Sequence, residues 1–178
     1  FLLSLHFTAP HWPWEGPDDE AESKRIKNLF HRDGGTQKTY MAMMQSLDSN
    51  IGRVLQALDV HGLAGNTIVI FTSDNGPEFF KPWDGWAGPW RGQYFTALEG
   101  GIRVPFLIRW PGKIPAERVS NEIVHGVDMF ATLARIGGAR VPTDRPFDSL
   151  DQSDFFLGKT EKSAREGFPI WCADRLQA

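Results

Sequence analysis

One stretch constrains this chain more than any other. Thr67-Ile68-Val69-Ile70-Phe71-Thr72 is an unbroken β-branched and aromatic run, and it stops abruptly at Ser73-Asp74-Asn75-Gly76-Pro77. Such a run predicts a strand buried on both faces, the kind found in parallel sheets covered by helices. Just before it, Tyr40, Met44, Leu47, Ile51, Val54 and Leu58 recur at spacings of four and three. That spacing predicts one helix over Thr39–Leu58 with a single apolar stripe, in which Met43 and Met44 read as core filling. Gly62 stands where the helix needs a C-terminal cap. Val104–Trp110 predicts a second strand. Met129–Ile136 predicts a second helix, capped or opened by Asp128 and ended by Gly137-Gly138. Strands alternating with helices argue for an α/β layer architecture.

The remaining stretches are less regular. Phe1–His6 reads as a short buried strand, and Pro10 and Pro13 then force a rigid, extended loop around His11. Glu15–Asp33 reads as a polar surface excursion with one helical turn around Ser23–Phe30. Phe79–Phe95, rich in Gly, Pro and Trp, predicts a long irregular loop, and loops of that length inside a compact domain are usually functional. Asn121–Val124 and Phe168–Cys172 read as short strands. After Ala139 the sequence turns polar. Asp144, Asp148, Asp151 and Asp154 read there as turn residues and helix caps, because their spacing does not match an EF-hand loop. The chain opens on an apolar run without Met and closes without a stop signal, so it is expected to be an internal piece of a longer protein.

Composition removes several function classes. With 19 Lys+Arg against 22 Asp+Glu, the formal net charge is −3. That is no basic field for nucleic acid, and no polybasic stretch points to a membrane surface. Apolar runs are too short for a transmembrane segment. The lone Cys172 forms neither an internal disulfide nor a thiolate metal site. Oligomeric state and compartment are not written in these residues. Six of the seven Trp fall in two regions, Trp12 and Trp14, then Trp83, Trp86, Trp90 and Trp110. They read either as packing or as aromatic walls around a ring-bearing substrate.

Three features carry chemistry, and each lies where an open α/β sheet binds its ligands, at strand ends. Asp74 and Asn75 follow directly from the predicted strand and offer hard oxygen ligands, which favour Ca²⁺ or Mg²⁺ over Zn²⁺. His11 is either a loop imidazole satisfied by backbone or a donor of a hydrogen bond or proton to an anionic group. In Arg91-Gly92…Glu99-Gly100-Gly101-Ile102-Arg103, the paired glycines allow close backbone approach, and Glu99 and Arg103 are placed for an ion pair.

In this order, these features resemble the sulfatase family within the alkaline phosphatase superfamily. The resemblance rests on HFTAPHWP (His6–Pro13), YMAMMQSLDSNIGRVLQALDVHGLAGNTIVIFTSDNG (Tyr40–Gly76), EGGIRVPFLIRWPGKIP (Glu99–Pro115) and VDMFATLARIGGA (Val127–Ala139). It implies an alkaline-phosphatase-like fold with a mixed, mainly parallel sheet flanked by helices. Residues 1–140 would then be a C-terminal portion of the catalytic domain. Residues 141–178 would be a polar connection towards a C-terminal subdomain. The implied activity is sulfuric ester hydrolysis, with a sulfated small molecule or glycan as substrate and export to the periplasm or outside the cell. Asp74 and Asn75 match the family's calcium-ligand pair, and His11 matches a histidine that contacts sulfate and protonates the leaving oxygen.

The sequence departs from the family in two places. Tyr94 stands where a sulfate-binding lysine is expected, and a phenol carries no positive charge at neutral pH. Either another cation, such as Lys81 or Arg91, reaches the site, or the substrate or activity differs. No C/S-x-P/A-x-R motif for formylglycine occurs in the sequence, so these residues alone are expected to be inactive. Two other readings stand beside sulfate-ester hydrolysis. One is a phosphodiesterase or phosphonate monoester hydrolase of the same superfamily. The other is a non-catalytic glycan-binding homologue.

Overall fold

The computed structural model describes residues 1–25, 35–80, 83–172 and 174–177. It divides into two compact units, Phe1–Ala64 and Gly65–Ala178.

The first unit is built on one long helix. After a single helical turn, α1 (Glu20–Ser23), helix α2 runs over Gln37–Val60. Its start is set by Thr36, whose hydroxyl accepts the Thr39 N–H at 3.2 Å and so occupies one donor that the first turn leaves unbonded. Its end is equally specified. Leu63 N–H reaches Leu58 O at 2.8 Å and Gly62 N–H reaches Asp59 O at 3.0 Å, with Gly62 at φ +66°. This 6→1 and 5→2 pair closes the carbonyl end, and only glycine takes the left-handed position without steric cost. Met43 and Leu47 are the buried members of its apolar stripe. Tyr40 packs on Trp14 with ring centroids 4.7 Å apart, so the Pro-flanked loop sits against the helix start.

Phe1–His6 forms no strand: Phe1 and Leu2 are almost fully exposed. An apolar run becomes a strand only where a ladder accepts its backbone groups, and none of the described residues pairs with it. The helical turn expected at 23–30 falls partly outside the described residues.

In the second unit, β1 (Val69–Thr72) pairs antiparallel with β4 (Phe106–Arg109), Val69 opposite Arg109 and Thr72 opposite Phe106. The α/β class holds, but β1 is not the doubly covered parallel strand that its composition suggests. It is half-buried to exposed, as is β4. Among the described residues β1 has one neighbour, so one edge of the ladder and much of its apolar surface stay uncovered. The expected long loop opens with two-residue strands, β2 (Phe79–Phe80) and β3 (Trp83–Asp84), and is irregular beyond them. Helix α3 (Glu99–Ile102) is a single turn. Asn121–Val124 forms no strand, whereas Trp171–Cys172 (β5) does pair, with Arg175–Leu176 (β6). No helix among the described residues is long and apolar enough to cross a membrane.

The core of this unit is partly ionic. Helix α4 (Asp128–Ile136) opens on Asp128, which is 0% exposed, and packs near α5 (Ser153–Phe156). Arg165 Nη2 and Nε donate to Asp128 Oδ1 at 2.6 and 3.1 Å, and Nε lies 2.9 Å from Oδ2. The carboxylate also accepts the Leu150 and His125 N–H groups, both at 2.9 Å, and Gln152 Nε2 at 3.3 Å. Arg165 spends further donors on Asp148 O and Gly167 O. Thr132 Oγ1 completes the node by donating to Asp128 O and accepting from Gln152 N–H. Burial pushes the Asp128 carboxyl up, but the Arg165 guanidinium and the two N–H groups outweigh it and hold the pKa down to about 2.

This arrangement has a consequence in acid. The folded-state value lies below the ordinary 3.8, so the stabilisation is complete above about pH 4 and is lost as pH falls through about 2. Urea unfolding followed from pH 5 to pH 2 should show about 2 kcal/mol of loss attributable to Asp128, and Asp128→Asn should flatten that dependence.

Candidate active site

The Asp74-Asn75 turn begins directly after β1 ends at Thr72, and a glycine contact locks it in place. Gly76 N–H donates to Gly101 O at 2.9 Å. A Cβ on Gly76 would come within 1.9 Å of Gly100 O and 3.0 Å of Gly101 Cα. Gly100 and Gly101 are closed in the same way, by the carbonyls of Gly92 and Gln93. Strand tip, α3 and residues 91–93 therefore meet through bare backbone, an approach that only glycine permits. Gly76→Ala should cost about 2–3 kcal/mol by forcing the turn off α3, read as a lowered urea midpoint at unchanged m.

Within this frame Asp74 and Asn75 are exposed. Asp74 Oδ1 accepts the Asn75 N–H at 3.0 Å and the Ser73 hydroxyl at 3.3 Å. Asn75 Nδ2 donates to Gly76 O at 2.8 Å, which fixes the amide orientation. Asp74 Oδ2 and Asn75 Oδ1 thus remain without a hydrogen-bond partner among the described residues. Two adjacent hard oxygens, one anionic, fit Ca²⁺ or Mg²⁺. They are two ligands rather than a full set, since no group of three His, Cys, Asp or Glu side chains suited to a metal occurs among the described residues.

Arg91 and Tyr94 are tied to the same frame by their backbones. Gly100 N–H donates to Arg91 O at 2.8 Å, and Tyr94 N–H donates to Pro77 O at 3.1 Å. The Arg91 guanidinium is exposed and has no ion-pair partner among the described residues. The Tyr94 hydroxyl donates to Glu78 Oε1 at 3.4 Å. Burial, then the Glu78 charge and hydrogen bond, push the Tyr94 phenol above its ordinary value, so it stays neutral. Glu99 and Arg103 form the expected ion pair, and Arg103 lies 4.0 Å over the Trp90 ring. Lys81 lies outside the described residues.

His11 belongs to the first unit and is exposed. Its Nδ1 lies 2.5 Å from Trp12 O, and its own N–H donates to Thr8 O at 2.8 Å. A carbonyl only accepts, so Nδ1 carries a proton, and Nε2 is the nitrogen left to face a ligand. His6 instead pairs with the Ser4 hydroxyl at 2.9 Å.

Glu78 is the residue at this site that sequence reasoning overlooks. Its pairing with a side chain sixteen positions away leaves no periodic trace.

A family model described as Sulfatase matches residues 1–139. The chain belongs to the sulfatase family. This sulfatase chain is 39% identical over 145 residues to the steryl-sulfatase of Rattus norvegicus, an overlap of 78% of the chain and 25% of that protein. The structure is similar to PsFucS1 sulfatase from Pseudoalteromonas sp., with TM-score 0.67 and 37% identity over 75% of this chain and 27% of that one. It is also similar to Ps i-CgsB in complex with k-i-k-neocarrahexaose, with TM-score 0.71 and 30% identity over 91% of this chain and 34% of that one. Both likenesses show the alkaline-phosphatase-like α/β fold. The sulfatase chain spans about a quarter of the length of the curated relatives that it matches.

Proposed function

We propose that this chain supplies metal- and sulfate-facing residues to an arylsulfatase-like sulfuric ester hydrolase. The observation that carries the reading is the Asp74-Asn75 pair, two partnerless hard oxygens held by a glycine-locked turn at the end of β1. Asp74 Oδ2 and Asn75 Oδ1 would hold Ca²⁺, with Mg²⁺ the alternative ion. When bound, such an ion stabilises negative charge on the sulfate oxygens.

The other residues have separable roles. His11, oriented by its Nδ1–H bond to Trp12 O, hands a proton from Nε2 to the departing alcohol oxygen. Arg91 or Lys81 supplies the positive charge that Tyr94 lacks, and Tyr94 orients a sulfate oxygen through its hydroxyl. The nucleophile implied by the resemblance, a formylglycine, has no motif in residues 1–178. These residues by themselves turn over no sulfate ester on this reading. Residues 1–140 belong to the catalytic domain, and 141–178 lead towards a C-terminal subdomain.

The substrate class is a sulfated small molecule or glycan. A relative named steryl-sulfatase and a neighbour solved in complex with k-i-k-neocarrahexaose support both kinds. Specificity is assigned to the loop over Phe79–Trp90.

Tyr94 also favours a second reading, phosphodiester or phosphonate monoester hydrolysis, because a neutral hydroxyl beside Glu78 replaces the expected lysine. The full-length protein assayed on an aryl sulfate and an aryl phosphodiester separates them. Preferential sulfate turnover is expected; preference for the phosphodiester would overturn the sulfatase activity.

A further inference from the structure

The turn that carries Tyr94 holds an exposed aromatic residue at a positive φ. Thr96 N–H donates to Gln93 O at 3.1 Å, which closes a β-turn over Gln93–Thr96. The Thr96 hydroxyl ties it again, donating to Gln93 O at 2.6 Å and lying 3.1 Å from Gln93 N. Gln93 Oε1 accepts the Phe79 N–H at 3.1 Å, and the Tyr94 N–H is bonded to Pro77 O. The turn is therefore fixed on both sides. Its third residue is Phe95, at φ +63°.

That position of a turn with φ > 0 normally takes glycine or asparagine, because a Cβ there is strained. A bulky side chain is an outlier unless its burial offsets the strain. Phe95 is 83% exposed, so almost none of its apolar area leaves water. Its recorded ring contact is with Tyr94, at 4.3 Å between centroids and 37° between planes. Strain that packing does not compensate concentrates at ligand-binding positions.

We infer that Phe95 is a specificity-determining residue, its ring stacking on a ring in the alcohol part of the ester that Tyr94 orients. The inference rests on the ester-hydrolase reading above. The ring faces solvent beside the residue that occupies the sulfate-binding position of the family resemblance. A sugar or aryl ring attached to an ester oxygen there meets an aromatic face carried on a backbone that the turn already fixes, which lowers the ordering cost of stacking.

The test uses the full-length protein and three Phe95 variants, with 4-nitrophenyl sulfate as ring-bearing substrate and propyl sulfate as ringless control. Phe95→Ala should raise KM for the aryl ester about fivefold, leave kcat within about twofold, and leave KM for the alkyl ester unchanged. Phe95→Tyr should retain wild-type KM. Phe95→Gly should weaken aryl binding as alanine does while raising the thermal midpoint by about 2 °C, because the strain is relieved. An unchanged aryl KM in Phe95→Ala, or an equal rise for both esters, overturns the inference. If wild type hydrolyses 4-nitrophenyl phosphodiesters and no sulfate, the sulfate reading fails by itself, and the same Phe95 comparison is scored on the phosphodiester. If wild type hydrolyses neither, both fail.

Discussion

Asp128→Ala is expected to lower the stability of this chain by about 3–5 kcal/mol, the usual cost of removing one partner from a buried ion pair. The magnitude follows from what the change strands. Arg165 is 9% exposed, and its guanidinium would keep Asp148 O and Gly167 O but lose the carboxylate that it is bonded to. The Leu150 and His125 N–H groups would lose their acceptor at the same moment. The damage should extend along the chain, since Arg165 and Leu150 anchor the segment after Ala139 to α4. Replacing both partners by apolar residues, Asp128→Leu with Arg165→Met, should recover part of the loss, because no charge is then left buried. Urea unfolding of the three proteins measures this. A single-variant loss below about 1 kcal/mol would mean that the node is solvated and contributes as a surface pair does.

Part of this architecture is readable from residues alone, and the reason is local. Helix α2 follows from its apolar spacing, and its end follows from Gly62, acting within a few residues; its start, set by Thr36, falls two residues before the expected Thr39. Helix α4 and its stop at Gly137-Gly138 are legible for the same reason: Ala139 N–H closes on Ala134 O and Gly138 N–H on Arg135 O. The turn at Asp74-Asn75 is legible because strand and breaker are adjacent in sequence.

What stays hidden depends on partners distant along the chain. Whether Thr67–Thr72 is doubly covered or half-exposed is decided by which strands flank it, and among the described residues only Phe106–Arg109 does so. Phe1–His6 reads as a strand from its side chains, yet no described residue supplies its ladder. The tail after Ala139 reads as polar, and Asp151 does cap Ser153 N–H at 2.9 Å and pair with Arg135. Its larger contribution, the buried Arg165, cannot be told from a solvated arginine without knowing that Asp128 waits 37 positions earlier. In the site, Asp74, Asn75, Arg91 and Tyr94 prove to share one glycine-locked frame. Glu78 and the strained Phe95 leave no trace in the spacing.

The largest functional effect is expected at Asp74. Asp74→Ala in the full-length protein removes the only charged ligand this turn offers, so ester hydrolysis should fall to background while the fold persists, because the exposed carboxylate carries no packing. Asn75 Oδ1 alone is a neutral donor and does not hold a divalent ion against water. Asn75→Ala should be milder in charge but similar in geometry.

The central claim is that these two oxygens grip a hard cation, and the direct measurement is the thermal midpoint with and without Ca²⁺. A ligand bound only by the folded state raises the midpoint with concentration. Wild type should show that rise, and Asp74→Ala should lose it. An equal rise in both proteins would place the ion elsewhere and contradict the account.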